Sequence, residues 1–168
     1  MDFLELISKR YSVRKYKDTH VSNEDIDKIL LSAKLAPTAR NSQPQEIIVV
    51  RNKESLSAIE KCTPCHYNAP LVFVVCYDSN KAWTRECDNK CSGDVDASIV
   101  VTQMMLEAAE LDLGSTWIMN FDPSVLIKEF ELKENIVPVA LLYVGYADEE
   151  PSSRHNLRRD LQEYVTYR

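Results

Sequence analysis

Asp94 to Leu113, reading DVDASIVVTQMMLEAAELDL, is the stretch on which the fold turns. Acidic residues stand at its start, where a helix N-terminus favours them, and Gly114 follows its end. Between them Ile99, Val100, Met104, Leu106, Ala108 and Leu111 recur at helical spacing. They cover more than one face, which predicts a helix at the centre of the molecule rather than on its surface. Beyond it, Ser115 to Met119 reads as a short strand, and Asn120-Phe121-Asp122-Pro123 turns the chain into a helix from Ser124 to Phe130. Val137 to Val144 is a near-continuously apolar strand, with Pro138 predicted at its start because proline cannot donate to a ladder.

On the N-terminal side, Asp78 to Gly93 is polar and irregular, and Leu71 to Cys76 is continuously apolar, as a buried strand requires. Earlier still come a modest helix, Ser55 to Lys61, and a strand, Ile47 to Val50. Ser22 is placed as the N-cap of a helix carrying Ile26, Ile29, Leu30 and Ala33 on one face, ended by Pro37. A first short helix, Asp2 to Lys9, places Phe3, Leu4 and Ile7 together under an Asp2 cap. Four strands among helices predict a single α+β domain over residues 1–168, with helices on both faces of the sheet. A charged, aromatic tail follows Pro151.

The chain has 168 residues, of which 45% are apolar and 27% charged, a composition that suits a folded core without metal or disulfide staples. Its net charge of -6, with no basic run, weighs against nucleic-acid binding. No apolar run is long enough to cross a bilayer, and the acidic start does not resemble a signal peptide, so the expected location is the cytoplasm. Five cysteines, an odd number, read as free thiols there. None of the three glycines builds a P-loop or a G-x-G-x-x-G turn, so any nucleotide must be held by side chains and other backbone turns.

Two stretches carry candidate chemistry. In Arg10-Tyr11-Ser12-Val13-Arg14, an extended backbone would send both guanidinium groups and the Ser12 hydroxyl the same way, forming an anion cradle. On those five residues alone a solvated basic loop is the plainer reading. Cys62-Thr63-Pro64-Cys65-His66 fits both a C-x-x-C-H haem attachment site and a C-x-x-C redox pair. With Cys87 and Cys91 it offers four thiols to zinc or an iron–sulfur cluster, although the spacing is not specific; unpaired loop thiols are the plainer reading. Asp88 to Gly93 is no calcium loop, because Lys90 occupies a ligand position and Ile99 stands where the bidentate Glu belongs. Met104, Met105, Tyr164 and Tyr167 read as packing.

Four segments together resemble the FMN-dependent nitroreductase family. They are Arg10-Tyr11-Ser12-Val13-Arg14; Ala36-Pro37-Thr38-Ala39-Arg40-Asn41-Ser42-Gln43-Pro44; the run from Leu113 to Asp122; and Val144-Gly145-Tyr146 with the basic tail. No one of them is specific, but four in register along a short chain are. The resemblance implies a three-layer fold with a mainly antiparallel sheet, and a homodimer holding two FMN at its interface. It implies that Arg10, Ser12 and Arg14 meet the phosphate and ribityl chain, that Tyr11 contributes backbone, and that Arg158 or Arg159 from a tail of about residues 151–168 completes the clamp. Pro37, Thr38, Ala39, Asn41 and Gln43 match the segment presented to the flavin by the partner subunit; Gln43 could equally brace the turn. Thr38-Ala39 stands where many relatives carry two serines. Trp117, Ile118, Met119 and Asn120 match the strand end against the ring, with the Met119 backbone N–H near flavin N5.

The implied activity is a ping-pong hydride transfer from NADH or NADPH, through the flavin, to nitroaromatic, quinone-like or related acceptors. No catalytic side chain and no metal are expected of the protein. The segment from Asp78 to Gly93 is short for the family, and Trp83 and Arg85 are candidates for the entrance or for an exposed loop. Two other readings remain: a flavin-binding sensory protein with little turnover, and a thiol-based metal or redox protein centred on Cys62 and Cys65.

Overall fold

The computed structural model describes residues 2–168, so Met1 of the acidic N-terminal segment lies outside the described residues. Helices α1 (Phe3–Lys9) and α2 (Asn23–Lys34) precede strand β1 (Gln45–Val50). Then come α3 (Lys53–Cys62), β2 (Leu71–Asp78), α4 (Gly93–Glu110), β3 (Gly114–Ile118), α5 (Pro123–Glu129) and β4 (Ile136–Gly145). The four strands form one antiparallel sheet in the order β1-β2-β4-β3. Three layers and an α+β architecture result.

Side chains alternate across the sheet, and that alternation divides the core. Leu71, Phe73 and Val75 of β2 face α2 and α4, where Ile29, Ala33, Val100, Val101 and Met104 lie fully buried or nearly so. Val72, Val74 and Cys76 face α3 and α5, meeting Ile59 and Leu126. Helix α4 is buried along Ala97, Val100, Val101, Met104 and Ala108, as its apolar breadth predicts. Its outer residues, Val95, Thr102 and Glu110, remain exposed.

Local chemistry accounts for most helix starts. Ser22 accepts from Asp25 N at 3.0 Å, Asn52 from Ser55 N at 2.8 Å, and Asp122 from Ser124 N at 2.8 Å. Three expectations need correction. Asp2 occupies the N-cap position of α1 without a side-chain bond to the helix. Pro138 lies inside β4 rather than at its start, opposite Cys76, at a register shift that absorbs its missing donor. Gly114 is the first residue of β3, not a helix cap. Asp112 takes the left-handed turn after α4, at φ 56°, while Gly114 is small because an added Cβ would lie 2.5 Å from Val13 Cγ2.

Candidate functional site

The Arg10 to Arg14 segment is extended and runs along the outer edge of β3. Ser12 bridges Ser115 in parallel, and Val13 N donates to Ser115 O at 3.0 Å. Val13 is wholly buried and Tyr11 leans on the same side, so Arg10, Ser12 and Arg14 alternate away from that core. The chain returning after β4 fastens this edge from outside. Tyr11 Oη donates to Glu149 O at 2.7 Å, Arg14 N donates to the Glu149 carboxylate, and Asp148 N donates to Lys15 O at 2.9 Å.

The tail folds back over the same edge. His155 Nε2 lies 2.9 Å from Ser8 O, and its ring meets Tyr11 edge-on at 6.0 Å between centroids. This brings Arg158 near enough for its charge to act on Arg10. Burial, and then the nearby Arg158 charge, hold the Arg10 guanidinium below its usual pKa. Among the described residues neither guanidinium is paired with a carboxylate: Arg10 reaches Met105 Sδ at 3.9 Å, and Arg158 donates to the carbonyls of His155 and Leu157. Arg159 turns away, its guanidinium carbon 5.1 Å from the centroid of the Tyr164 ring. A cleft of about 210 Å³ opens beside Arg10, lined by Leu6, Lys9, Ala109, Asp112 and Ala147 among others.

At the far end of β3 the four expected residues separate. Trp117 packs toward α4 and Ile118 is buried against the opposite cluster, whereas Met119, 69% exposed, and Asn120 project past the last pair of the ladder. The loop after α3 braces this strand end: Thr63 Oγ1 donates to Asn120 O at 2.5 Å, and Asp122 N donates to Cys62 O at 2.7 Å. In the same loop, burial and then the nearby Cys65 hold the Tyr67 phenol above its usual pKa. Tyr67, Glu149 and His155 therefore belong to the neighbourhood of the site although their spacing did not mark them. Each acts across long sequence separations that only the fold closes.

The turn after α2 is built differently. Arg40, Asn41 and Gln43 all adopt left-handed backbone, at φ 54°, 54° and 48°, without a glycine among them. Thr38 Oγ1 accepts from Gln43 N at 3.0 Å, and Asn41 N donates to Thr38 O at 3.0 Å, so Thr38 closes the turn upon itself. Ala39 N donates to Asp96 Oδ1 at 2.8 Å. Gln43 braces the turn, with Nε2 3.4 Å from Asn41 O, while Asn41 is exposed and its side-chain amide has no partner among the described residues. Pro37 is exposed beside it.

This turn does not meet the arginines within one chain. It is tied to the first turn of α4 at Asp96, whereas the Arg10 cleft lies at the opposite end of α4 beside Ala109 and Asp112. At 1.5 Å per residue those two ends are roughly 20 Å apart along the helix axis.

The cysteine motif is arranged unlike a redox pair. Cys62 is the last residue of α3, at the helix end where a thiolate is disfavoured, and Thr63 is extended, which carries Cys65 away instead of turning it back. Burial, and then Glu129 and Asp122, push the Cys62 thiol above its usual pKa. All five cysteines are free, and among the described residues no group of three or more His, Cys, Asp or Glu could hold a metal ion. Arg85 is committed to Asp88, leaving Trp83, half-buried, as the remaining candidate from that loop.

The family model described as the nitroreductase family matches residues 7–65 and 60–146. A crystal structure of a nitroreductase family protein from Clostridium difficile 630 is 43% identical and superposes at a TM-score of 0.95, covering 99% of this chain and 98% of that one. An FMN-dependent nitroreductase from Clostridium difficile R20291 is 30% identical with a TM-score of 0.82, covering 98% of both chains. A Methanothermobacter thermautotrophicus protein provisionally named NADH dehydrogenase/NAD(P)H nitroreductase is 34% identical over 166 residues, 92% of this chain and 82% of that protein.

Proposed function

The chain belongs to the nitroreductase family, and from that premise we propose that it is an FMN-dependent oxidoreductase working as a homodimer with FMN at the subunit interface. The observation that carries this reading is the pairing of Arg10 with Arg158. The tail docks on the Arg10 edge through His155, so that the Arg158 charge acts on a half-buried Arg10, and neither guanidinium is paired with a carboxylate among the described residues. Such an arrangement is unfavourable until an anion joins it, and a terminal phosphate supplies the charge and oxygens that two planar forks can share. Arg158 rather than Arg159 completes the clamp in this reading, because Arg159 is engaged with Tyr164.

When bound, FMN supplies the two-electron chemistry, accepting hydride from NADH or NADPH and delivering it by ping-pong exchange to nitroaromatic, quinone-like or related acceptors. The protein holds and orients. Ser12 adds a hydroxyl donor beside Arg10, and Arg14, on the same face, is fixed through its own backbone by Glu149. Met119 and Asn120, exposed past the last pair of the β3 ladder, offer the Met119 N–H and the Asn120 side-chain amide to the ring edge. Pro37, Thr38, Ala39, Asn41 and Gln43 come to the same ring from the second subunit. The roughly 20 Å along α4 between the turn and its own arginines supports that division.

Exposed apolar side chains support the second copy. Val95 on α4 is 52% exposed, and Leu157, Leu161 and Tyr164 of the tail are 71%, 67% and 56% exposed. In this reading residues 1–168 form one domain whose tail, about 151–168, serves both the dimer and the phosphate site. Five free thiols suit the cytoplasm. Among the described residues no helix is long and apolar enough to cross a membrane.

The test is spectroscopic. Purified protein should show two broad flavin bands that bleach with NADH or NADPH in the absence of oxygen and return when a nitroaromatic or quinone is added. Flavin bands that neither nicotinamide bleaches would reject the enzyme and leave a flavin-binding protein.

A further inference from the structure

The carboxylate of Asp96 is 2% exposed, and both of its oxygens are used. Oδ1 accepts from Ala39 N at 2.8 Å and Oδ2 from Ser92 Oγ at 2.7 Å. It lies in the first turn of α4, where the helix N-terminus favours a negative charge, and Ser92 is that helix's N-cap residue. A buried charge satisfied in this way is fixed in position, because any displacement would leave oxygen atoms without donors.

What it fixes is the start of the strained turn. Ala39 immediately precedes Arg40 and Asn41, and three non-glycine residues within four positions are left-handed. Backbone of that kind persists only where surrounding bonds over-determine it. Three bonds do so here. Asp96 holds the first residue, Thr38 Oγ1 holds Gln43 N, and Asp78 N donates to Pro44 O at 2.7 Å just beyond. The α4 end of this clamp is itself seated without play, since a Cβ on Gly93 would lie 2.3 Å from the Tyr77 ring. The product is an exposed Asn41 whose amide is not used by its own chain.

We infer that Asp96 is a positioning residue: by anchoring Ala39 N to the rigid start of α4, it sets the direction in which Asn41 meets the flavin of the second subunit. The inference rests on the FMN reading above and goes beyond it by naming the buried group that orders the turn. Asp96 touches no reacting atom. Its influence passes through Ala39 and the left-handed backbone to the Asn41 amide.

A double-mutant cycle on the full-length protein tests this, using Asp96→Asn, Asp96→Ala and Asn41→Ala, with FMN dissociation constants from flavin fluorescence and the visible circular dichroism of the bound flavin as readouts. Asn41→Ala is expected to weaken FMN about tenfold, and Asp96→Ala by a similar factor. The double variant should be no weaker than either single variant, because removing the amide leaves Asp96 nothing to position. Asp96→Asn, which keeps one acceptor for Ala39 N, should recover most of the affinity and the wild-type dichroism. Should Asp96→Ala not fold, Ser92→Ala, which removes the donor to Asp96 Oδ2 and so loosens the anchor, takes its place in the cycle. Independent, multiplying losses would overturn the positioning role while leaving the cofactor assignment intact. So would wild-type dichroism in Asp96→Ala. Wild-type protein that binds no FMN would overturn the inference together with the reading beneath it.

Discussion

At the scale of single residues, the site turns on which charged groups are already engaged. Arg85 is bound to Asp88 and Arg159 stacks over Tyr164, whereas the Arg158 charge acts on Arg10 and neither is paired with a carboxylate among the described residues. Substituting either of the latter by alanine should weaken FMN by about 1.5–3 kcal/mol, tenfold or more in dissociation constant, since a charge-assisted contact to a partly buried phosphate is lost. Arg159→Ala should leave FMN affinity within about twofold. Titration of the apoprotein checks all three, and equal effects at Arg158 and Arg159 would remove the geometric distinction. The alternation of Arg10, Ser12 and Arg14 was legible in the sequence, because strand periodicity is a local property. The choice between Arg158 and Arg159 was not, because it depends on where His155 docks on Ser8 and Tyr11.

At the scale of elements, the site depends on an edge that is not itself a regular strand. The Arg10 to Arg14 segment is joined to β3 through Ser12 and Val13, and its closeness to β3 relies on Gly114 lacking a side chain. Gly114→Ala would drive a methyl to 2.5 Å from Val13 Cγ2 inside a packed core. The expected cost is about 1–3 kcal/mol of stability, read as a lower melting temperature, with FMN loss exceeding that of a comparably destabilised variant elsewhere. A melting temperature equal to wild type would show that the edge can move aside. Helix and strand existence came through the sequence well, since apolar periodicity and N-caps such as Ser22 and Asp122 act locally. Gly114 was misread as a helix cap because its spacing fits one; its actual constraint is a neighbour about a hundred positions earlier in the chain.

At the scale of the whole molecule, the turn and the Arg10 cleft stand at opposite ends of α4, and the proposed function assigns the turn to the flavin of the second subunit. Sedimentation of the purified protein should therefore give twice the 19.3 kDa chain mass at micromolar concentration. Removing residues 151–168, which takes away Arg158 and the exposed Leu157, Leu161 and Tyr164, should shift the protein toward monomer and release FMN. A monomer that retains FMN with full affinity would refute the shared site. By itself the sequence determined the α+β class, the central helix and the alternation of Arg10, Ser12 and Arg14. It also marked the family through four segments in register. These follow from periodicity, capping and residue chemistry acting over a few positions. Only the tertiary structure decided that Arg159 stacks on Tyr164 while the Arg158 charge acts on Arg10, that Asp96 bonds to Ala39 N ahead of Asn41, and that this turn lies far from the Arg10 cleft. Those outcomes depend on contacts between distant parts of the chain, whose distances no local spacing encodes.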